Sequence, residues 1–216
     1  MFGALLNLWA IIPVKPLRRG KSRLAGVLTE DQRAYANEFM LKHVLHEISS
    51  IEKLQGILVI SSDPYALSVA HEYAVRTIRE NRLTNINQAL RKATRAAKTL
   101  GANAVLILPA DLPVLRKSDA QKIINSMNQP PEIIIVPDRY KQGTNAILVN
   151  PVNAIMYDYG INSFQKHMEQ AERNNVKTNV IISDSIGFDL DLPQDLEFLR
   201  QIDENVYTAI VNYSKE

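Results

Sequence analysis

Cysteine is absent from the 216-residue chain. Its absence excludes disulfide bridges, thiolate-bound zinc and a cysteine nucleophile. No apolar run approaches the ~18 residues needed to cross a membrane, so a membrane protein is not expected. The start, Met1 to Trp9, is mildly apolar but has neither a basic leader nor a small-residue cleavage site. It runs straight into a strand-like segment, which argues for a short extension and against a signal peptide. A cytoplasmic protein is the default expectation. The four histidines stand in no metal-binding spacing such as His-Glu-x-x-His. A surplus of either charge is missing too: the net charge is +2, too small to draw the chain to nucleic acid. Repeats, low-complexity tracts and linkers are also lacking. One domain over residues 1–216 is therefore expected, with its core at about 9–200 and a tail at 201–216.

What is present is an alternation of short apolar runs with amphipathic stretches. Trp9 to Val14, Ile57 to Ile60, Val105 to Leu108 and Ile133 to Val136 are rich in Val, Ile and Leu and bounded by polar or proline residues. Such runs read as strands buried on both faces. Thr29 and Gln32 form a capping-box pattern ahead of Leu41, Val44, Leu45 and Ile48 at helical spacing. Ser118 and Gln121 repeat that pattern, Asn87 to Leu100 reads as a helix closed by Gly101, and Asn162 to Asn174 reads as another. Strands alternating with helices predict an α/β sandwich on a mostly parallel sheet. Ligands of such sheets sit at the carboxyl ends of the strands.

The first such end is basic. Lys15, Arg18, Arg19, Lys21 and Arg23 follow the first run. The cluster suits a small anionic ligand, and from charge alone it suits a solvated loop equally well. The segment imitates a phosphate-binding glycine loop, but Lys15 stands where that loop needs glycine, and Pro16 has no N–H to donate. Side chains are the better clamp for a triphosphate, with Lys15, Lys21 and Arg23 as candidates and Arg18 and Arg19 exposed.

Carboxylates mark the other strand ends. Asp111 lies between Pro109 and Pro113, just after a strand-like run, where it can be a ligand or a turn residue. Asp189 and Asp191 are two apart and share a face in extended chain. Two such carboxylates repel unless a cation sits between them, which suits magnesium completed by substrate phosphates. The alternative is that Asp191 only caps a helix beginning at Pro193. Asp63 reads as the cap of a helix begun by Pro64, and Asp195 and Glu197 read as a solvated helix face. A second anion site is suggested where Gly143-Thr144 precedes an apolar run and Gly160 and Ser163 open a helix. A hairpin turn and a plain cap are the simpler readings of those glycines. His167 reads as a packed helix residue.

Six segments in order carry a resemblance: Ile12 to Leu17, Lys21 to Leu24, Leu108 to Pro113, Pro137 to Arg139, Gly143 to Ala146 and Phe188 to Asp191. From about Trp9 to Leu199 the chain resembles the guanylyltransferases of coenzyme F-420 biosynthesis. The resemblance implies a three-layer nucleotide-diphospho-sugar transferase fold. It implies GTP and a small phosphorylated carboxylic acid, phosphoenolpyruvate or 2-phospho-L-lactate, as substrates. It implies two magnesium ions on Asp111, Asp189 and Asp191, and an acceptor near Thr144, Gly160 and Ser163. Asn87 matches the asparagine of the family's Leu-Asn-x-Ala-Leu helix start and is carried over as a substrate contact. The glycines that precede that start in the family are missing from Arg82 to Ile86. A homodimer is admitted. The rival readings are a related nucleotidyltransferase acting on 3-phosphoglycerate, a sugar phosphate or molybdopterin, a nucleotide-binding regulator without turnover, and a degenerate P-loop ATPase.

Overall fold

The computed structural model describes residues 6–80 and 85–214. Residues 1–5 of the apolar start and Arg82-Leu83-Thr84, where the family's glycines are missing, lie outside the described residues. One seven-stranded sheet carries the chain: β1 (Leu8–Val14), β2 (Leu54–Ser61), β3 (Arg76–Arg79), β4 (Ala104–Ile107), β5 (Glu132–Pro137), β6 (Thr144–Asn150) and β7 (Lys177–Val180). Their order is β3-β2-β1-β4-β6-β5-β7. All pairings are parallel except the two made by β6. The sheet is thus mixed and mostly parallel, as expected.

Helices cover both faces. On one side lie α1 (Glu30–Ser49), α2 (Pro64–His71) and α4 (Lys117–Asn125); on the other lie α3 (Ile86–Thr99) and α5 (Ser163–Arg173). Strand alternation divides the core accordingly: Ala10 and Ile12 of β1 face the first side, and Trp9 and Ile11 face the second. Helices on both faces make three layers. No helix among the described residues is long and apolar enough to cross a membrane.

The edge strands β3 and β7 were not anticipated. Each is four residues long with a single apolar residue, RTIR and KTNV, and has exposed ends. A short charged strand is how a sheet edge resists further pairing, and it leaves little apolar periodicity to read. The Ser118 cap is a second correction. The helix α4 begins at Lys117 with Arg116 as cap, and Asp119 Oδ2 accepts from the Arg116 N–H at 3.1 Å. Glu47 on α1 accepts from the Lys117 N–H at 2.6 Å, so a neighbouring helix satisfies one of the free donors at the start of α4.

The tail folds back on the body. After α6 (Pro193–Ile202), α7 (Glu204–Val211) joins a third apolar cluster of Leu24, Leu28, Met40, Phe188, Leu190, Leu199 and Ile210. Tyr213 stacks on Tyr35 of α1 with ring centres 4.1 Å apart. This cluster matters beyond stability, because Leu24 sits just after the basic loop and Phe188 and Leu190 flank Asp189.

Candidate active site

The loop after β1 is built to turn one lysine inward. Pro16 opens a 3-10 turn at Leu17–Arg19, and a second follows at Ser22–Leu24. Asp63 fixes the first turn from outside: its Oδ2 accepts from the Leu17 N–H at 2.9 Å, while its Oδ1 accepts from Tyr65 N–H at 3.0 Å as the expected cap of α2. Asn37 donates to the Leu17 carbonyl at 2.7 Å and packs so close to Gly20 that a Cβ there would lie 2.5 Å from its Nδ2. Between the turns Lys21 has φ 58°, in the left-handed region. Arg18 points the other way, to Glu30 and Asp31. Helix α1 begins only at Glu30, so the loop is not the glycine cradle of a P-loop.

Lys21 ends among the carboxylates. Its Nζ donates to Asp111 Oδ2 at 2.7 Å and to Asp191 Oδ1 at 2.8 Å, with its side chain only 4% exposed. Burial works to lower the ammonium's pKa, but the charges of Asp111 and Asp191 outweigh it, and the net shift is upward. Burial likewise works to raise Asp111, and Lys21 reverses it, so this carboxyl falls below its ordinary value. Asp189 has no such partner. Burial, then the charges of Asp111 and Asp191, push it up to about 6. The three carboxylates offer oxygens within 4.8 Å of one another. Lys21 in contact and Lys15 at longer range still leave three carboxylates with a deficit of positive charge. An all-oxygen set of this kind fits a hard divalent cation such as magnesium.

Two residues that the sequence reading did not place in the site hold this set in place. Asn145 donates to Asp189 Oδ1 at 3.2 Å and to the Ile186 carbonyl at 2.8 Å. It lies where the pairing of β5 with β6 shifts register, since Val136 faces Ala146 but Pro137 faces Thr144. The unpaired residue of such a shift is re-aimed, here toward a carboxylate. Asp195 corrects an expectation. It is 2% exposed, not part of a solvated face. Its Oδ2 accepts from the N–H groups of Asp191 and Leu192 at 2.7 and 2.6 Å, and its Oδ1 takes the Arg139 guanidinium. Asp195 is the third residue of α6, where a carboxylate reaches back to the free N–H groups ahead of a helix. That leaves Asp191 free of the capping role, with its side chain on Lys21. Glu197 is exposed, as expected.

Of these groups, Lys21, Asp111 and Asp191 line one end of a cleft of about 220 Å³. Lys15, Lys21, Asp111 and Asp191 stand near its β1–β4 side, and Ile60, Ser62, Glu80, Ile86 and Ala89 line it toward β2 and β3. Arg23 is exposed on the turn after Lys21 and does not line the cleft. The other carried-over residues form a group next to it, reached through Asn145. Thr144 and Ser163 are 6% and 2% exposed, and Ser163 Oγ accepts from the Thr144 N–H at 3.0 Å. Gly160 has φ 133°, with nothing within 4 Å of an added Cβ. Asn87 clamps the same segment: its amide donates to the Tyr159 carbonyl at 3.1 Å and accepts from the Tyr159 N–H at 2.7 Å.

Comparison with known proteins adds to this geometry. The family model described as "Guanylyl transferase CofC like" matches residues 8–209. The chain belongs to this guanylyltransferase family. It is 36% identical to the phosphoenolpyruvate guanylyltransferase of Rubrobacter xylanophilus, over 90% of this chain and 94% of that protein. It is 30% identical to the 2-phospho-L-lactate guanylyltransferase of Methanobrevibacter smithii, over 97% of this chain and 90% of that protein. A 3-phospho-D-glycerate guanylyltransferase from Colwellia psychrerythraea is 28% identical over 91% of this chain and 92% of its own length. The fold is that of nucleotide-diphospho-sugar transferases. A crystal structure so described, from Desulfovibrio desulfuricans G20, superposes with TM-score 0.75 at 16% identity over 95% of this chain and 91% of that one. The guanylyltransferase is therefore an enzyme of the nucleotidyltransferase class.

Proposed function

We propose that this guanylyltransferase transfers GMP from GTP to phosphoenolpyruvate or 2-phospho-L-lactate, releasing pyrophosphate, as a step of coenzyme F-420 biosynthesis. The observation that carries the reading is the buried Lys21 ammonium on Asp111 and Asp191, at one end of a cleft that Lys15 also lines. Lys15 and Lys21 bind the triphosphate, and Arg23, one turn further out, meets the departing pyrophosphate. Asp111, Asp189 and Asp191 would hold two magnesium ions, which supply charge neutralisation at the reacting phosphates. The acceptor's phosphate oxygen attacks the α-phosphorus of GTP as the bond to the β-phosphate bridging oxygen breaks. No general base is needed, because a phosphate monoester with a second pKa near ~6 is mostly dianionic at pH 7. The protein's part is to position and to exclude competing water. Thr144, Gly160 and Ser163 receive the acceptor, one residue along β6 from the Asn145 that orients Asp189. Asn87 acts on the same pocket through the Tyr159 backbone that it clamps.

A second reading has 3-phosphoglycerate as acceptor, since it too carries a phosphate and a carboxylate on three carbons, and one relative is named for it. Pyrophosphate release from GTP and Mg²⁺ with each of the three acids separates the readings. The expected product with the preferred acid is its guanosine diphosphate conjugate. Bound GTP without pyrophosphate release on any of the three would overturn the proposal.

A further inference from the structure

The residue His167 is fully buried, and the proposed chemistry above does not use its imidazole. Its hydrogen bonds have a direction. The Asp158 N–H donates to Nε2 at 3.0 Å, so Nε2 carries no hydrogen. Burial first of all lowers the imidazole's pKa, to about 4, so the ring is neutral near pH 7 and its one hydrogen is on Nδ1. The atom facing Nδ1, at 3.0 Å, is Thr144 Oγ1, which must therefore accept. The Ser163 hydroxyl is in the same position, because its oxygen accepts from the Thr144 N–H. Each hydroxyl thus receives a hydrogen bond from the protein and keeps its own hydrogen. No acceptor for either hydrogen is found among the described residues.

Two buried hydroxyls with their hydrogens unspent are donors for an anion. Ser163 opens α5 and Thr144 opens β6 beside it, so the helix dipole also favours negative charge there. Had Nε2 carried the proton, Thr144 would donate inward to Nδ1 and present only lone pairs, which repel an anion. The direction set at the Asp158 N–H therefore decides the sign of the site. Tyr159 packs edge-on against the imidazole with ring centres 5.1 Å apart, and Asn87 holds Tyr159 by its backbone, so the ring has little freedom to turn over.

We propose that His167 is a positioning residue: its Nδ1–H occupies the inward side of the Thr144 oxygen and so aims the Thr144 hydroxyl hydrogen at the anionic oxygens of the acceptor acid. This rests on the placement of the acceptor at Thr144 and Ser163 proposed above. The effect is specific to the acceptor, since the triphosphate lies against Lys15 and Lys21.

The test is steady-state kinetics of the full chain with GTP, Mg²⁺ and phosphoenolpyruvate as the probe acceptor, with thermal unfolding to check each variant. Thr144→Val and His167→Leu should each raise the acceptor KM about tenfold or more, the scale of a hydrogen bond to a charged group, and leave the GTP KM within about twofold. In the Thr144→Val background, His167→Leu should add nothing to the acceptor KM, because its partner is already gone. His167→Asn should restore the acceptor KM to near the parental value, since its amide donates from the δ position. His167→Gln, whose amide lies at the ε position, should not. The Asn and Gln pair decides the matter even if the leucine variant fails to fold. A raised acceptor KM in Thr144→Val with an unchanged one in His167→Leu, or equal behaviour of the Asn and Gln variants, overturns the role of His167 alone. An unchanged acceptor KM in Thr144→Val overturns the acceptor placement and this inference together.

Discussion

Replacing Lys21 by methionine tests the electrostatics of the site directly. The change keeps the length and apolar stem of the side chain and removes only its charge. In the parent, the ammonium lies 2.7 and 2.8 Å from carboxylate oxygens. Two unit charges about 4 Å apart attract by about 4 kcal/mol at an effective dielectric of 20. Most of that is offset by the cost of burying the ammonium, and breaking a fully buried pair costs about 3–5 kcal/mol. The carboxylates here remain 34% and 42% exposed, so water screens what is left. A net loss of about 1–3 kcal/mol follows, which in a chain of this size lowers Tm by about 2–12 °C. The raised pKa of Lys21 means that its contribution is complete below the ordinary lysine value and disappears as pH rises through the still higher folded value. The lowered pKa of Asp111 means that its share is present above the ordinary carboxyl value and disappears as pH falls through the folded one. The gap between variant and parent should therefore be widest between those two ranges and close at both extremes.

Magnesium makes the same experiment sharper. In the parent, a divalent ion must compete with the Lys21 ammonium for oxygens of Asp111 and Asp191. In Lys21→Met it meets three carboxylates and no rival cation. Thermal melts at pH 7.5 without nucleotide should show Mg²⁺ raising Tm more in the variant than in the parent. A tenfold gain in affinity corresponds to up to about 1.4 kcal/mol at saturating metal. Turnover should fall at the same time, because Lys21 also serves the triphosphate. Equal Tm values without metal, or equal stabilisation by Mg²⁺, would refute the reasoning that Lys21 stands in for a cation.

Asp111→Asn removes a charge from the same group and should lower pyrophosphate release by on the order of 100-fold or more, and lower Tm by less than Lys21→Met does, because Lys21 keeps Asp191 as a partner; activity within a few-fold of the parent refutes its role. Asp195→Ala leaves Arg139 and the N–H groups of Asp191 and Leu192 without their acceptor, and should cost about 2–4 kcal/mol in denaturant unfolding and weaken Mg²⁺-dependent GTP binding. The Asp189 carboxyl, raised to about 6, keeps its proton in the folded protein at pH values where the unfolded chain has lost it. Stability from this group therefore declines as pH rises from about 4 to about 6. Mg²⁺ binding in the presence of GTP should weaken as pH falls through about 6 and should release protons there. Calorimetry in two buffers of different ionisation enthalpy reads that release, and a flat affinity between pH 7.5 and 5.5 refutes it.

The buried strands were legible because their chemistry is local: Trp9 to Val14 is apolar throughout, and it became β1 with one residue added. The strand ends followed from them, and so did Asp111, locked between prolines. What escaped depends on partners far along the chain. Asp195 reads as a charge on a helix surface. Its burial comes from Arg139, 56 residues away, whose guanidinium also lies over the rings of Tyr140, Phe188 and Phe198. The Pro137-Asp138-Arg139 segment was among the residues that carried the family resemblance, yet nothing local says that its arginine is half of a buried pair. Asn145 was equally visible as a polar residue at the start of an apolar run, but its direction depends on a register shift against β5. Identity is local, whereas direction is set by the partner. The same holds for His167, which was rightly read as facing its helix stripe, while the direction of its hydrogen bonds is set by a backbone N–H nine residues earlier. Local pattern therefore reaches the residues that touch substrate more readily than those that aim them. The search for aiming residues begins with buried polar side chains whose every hydrogen bond can be assigned a donor.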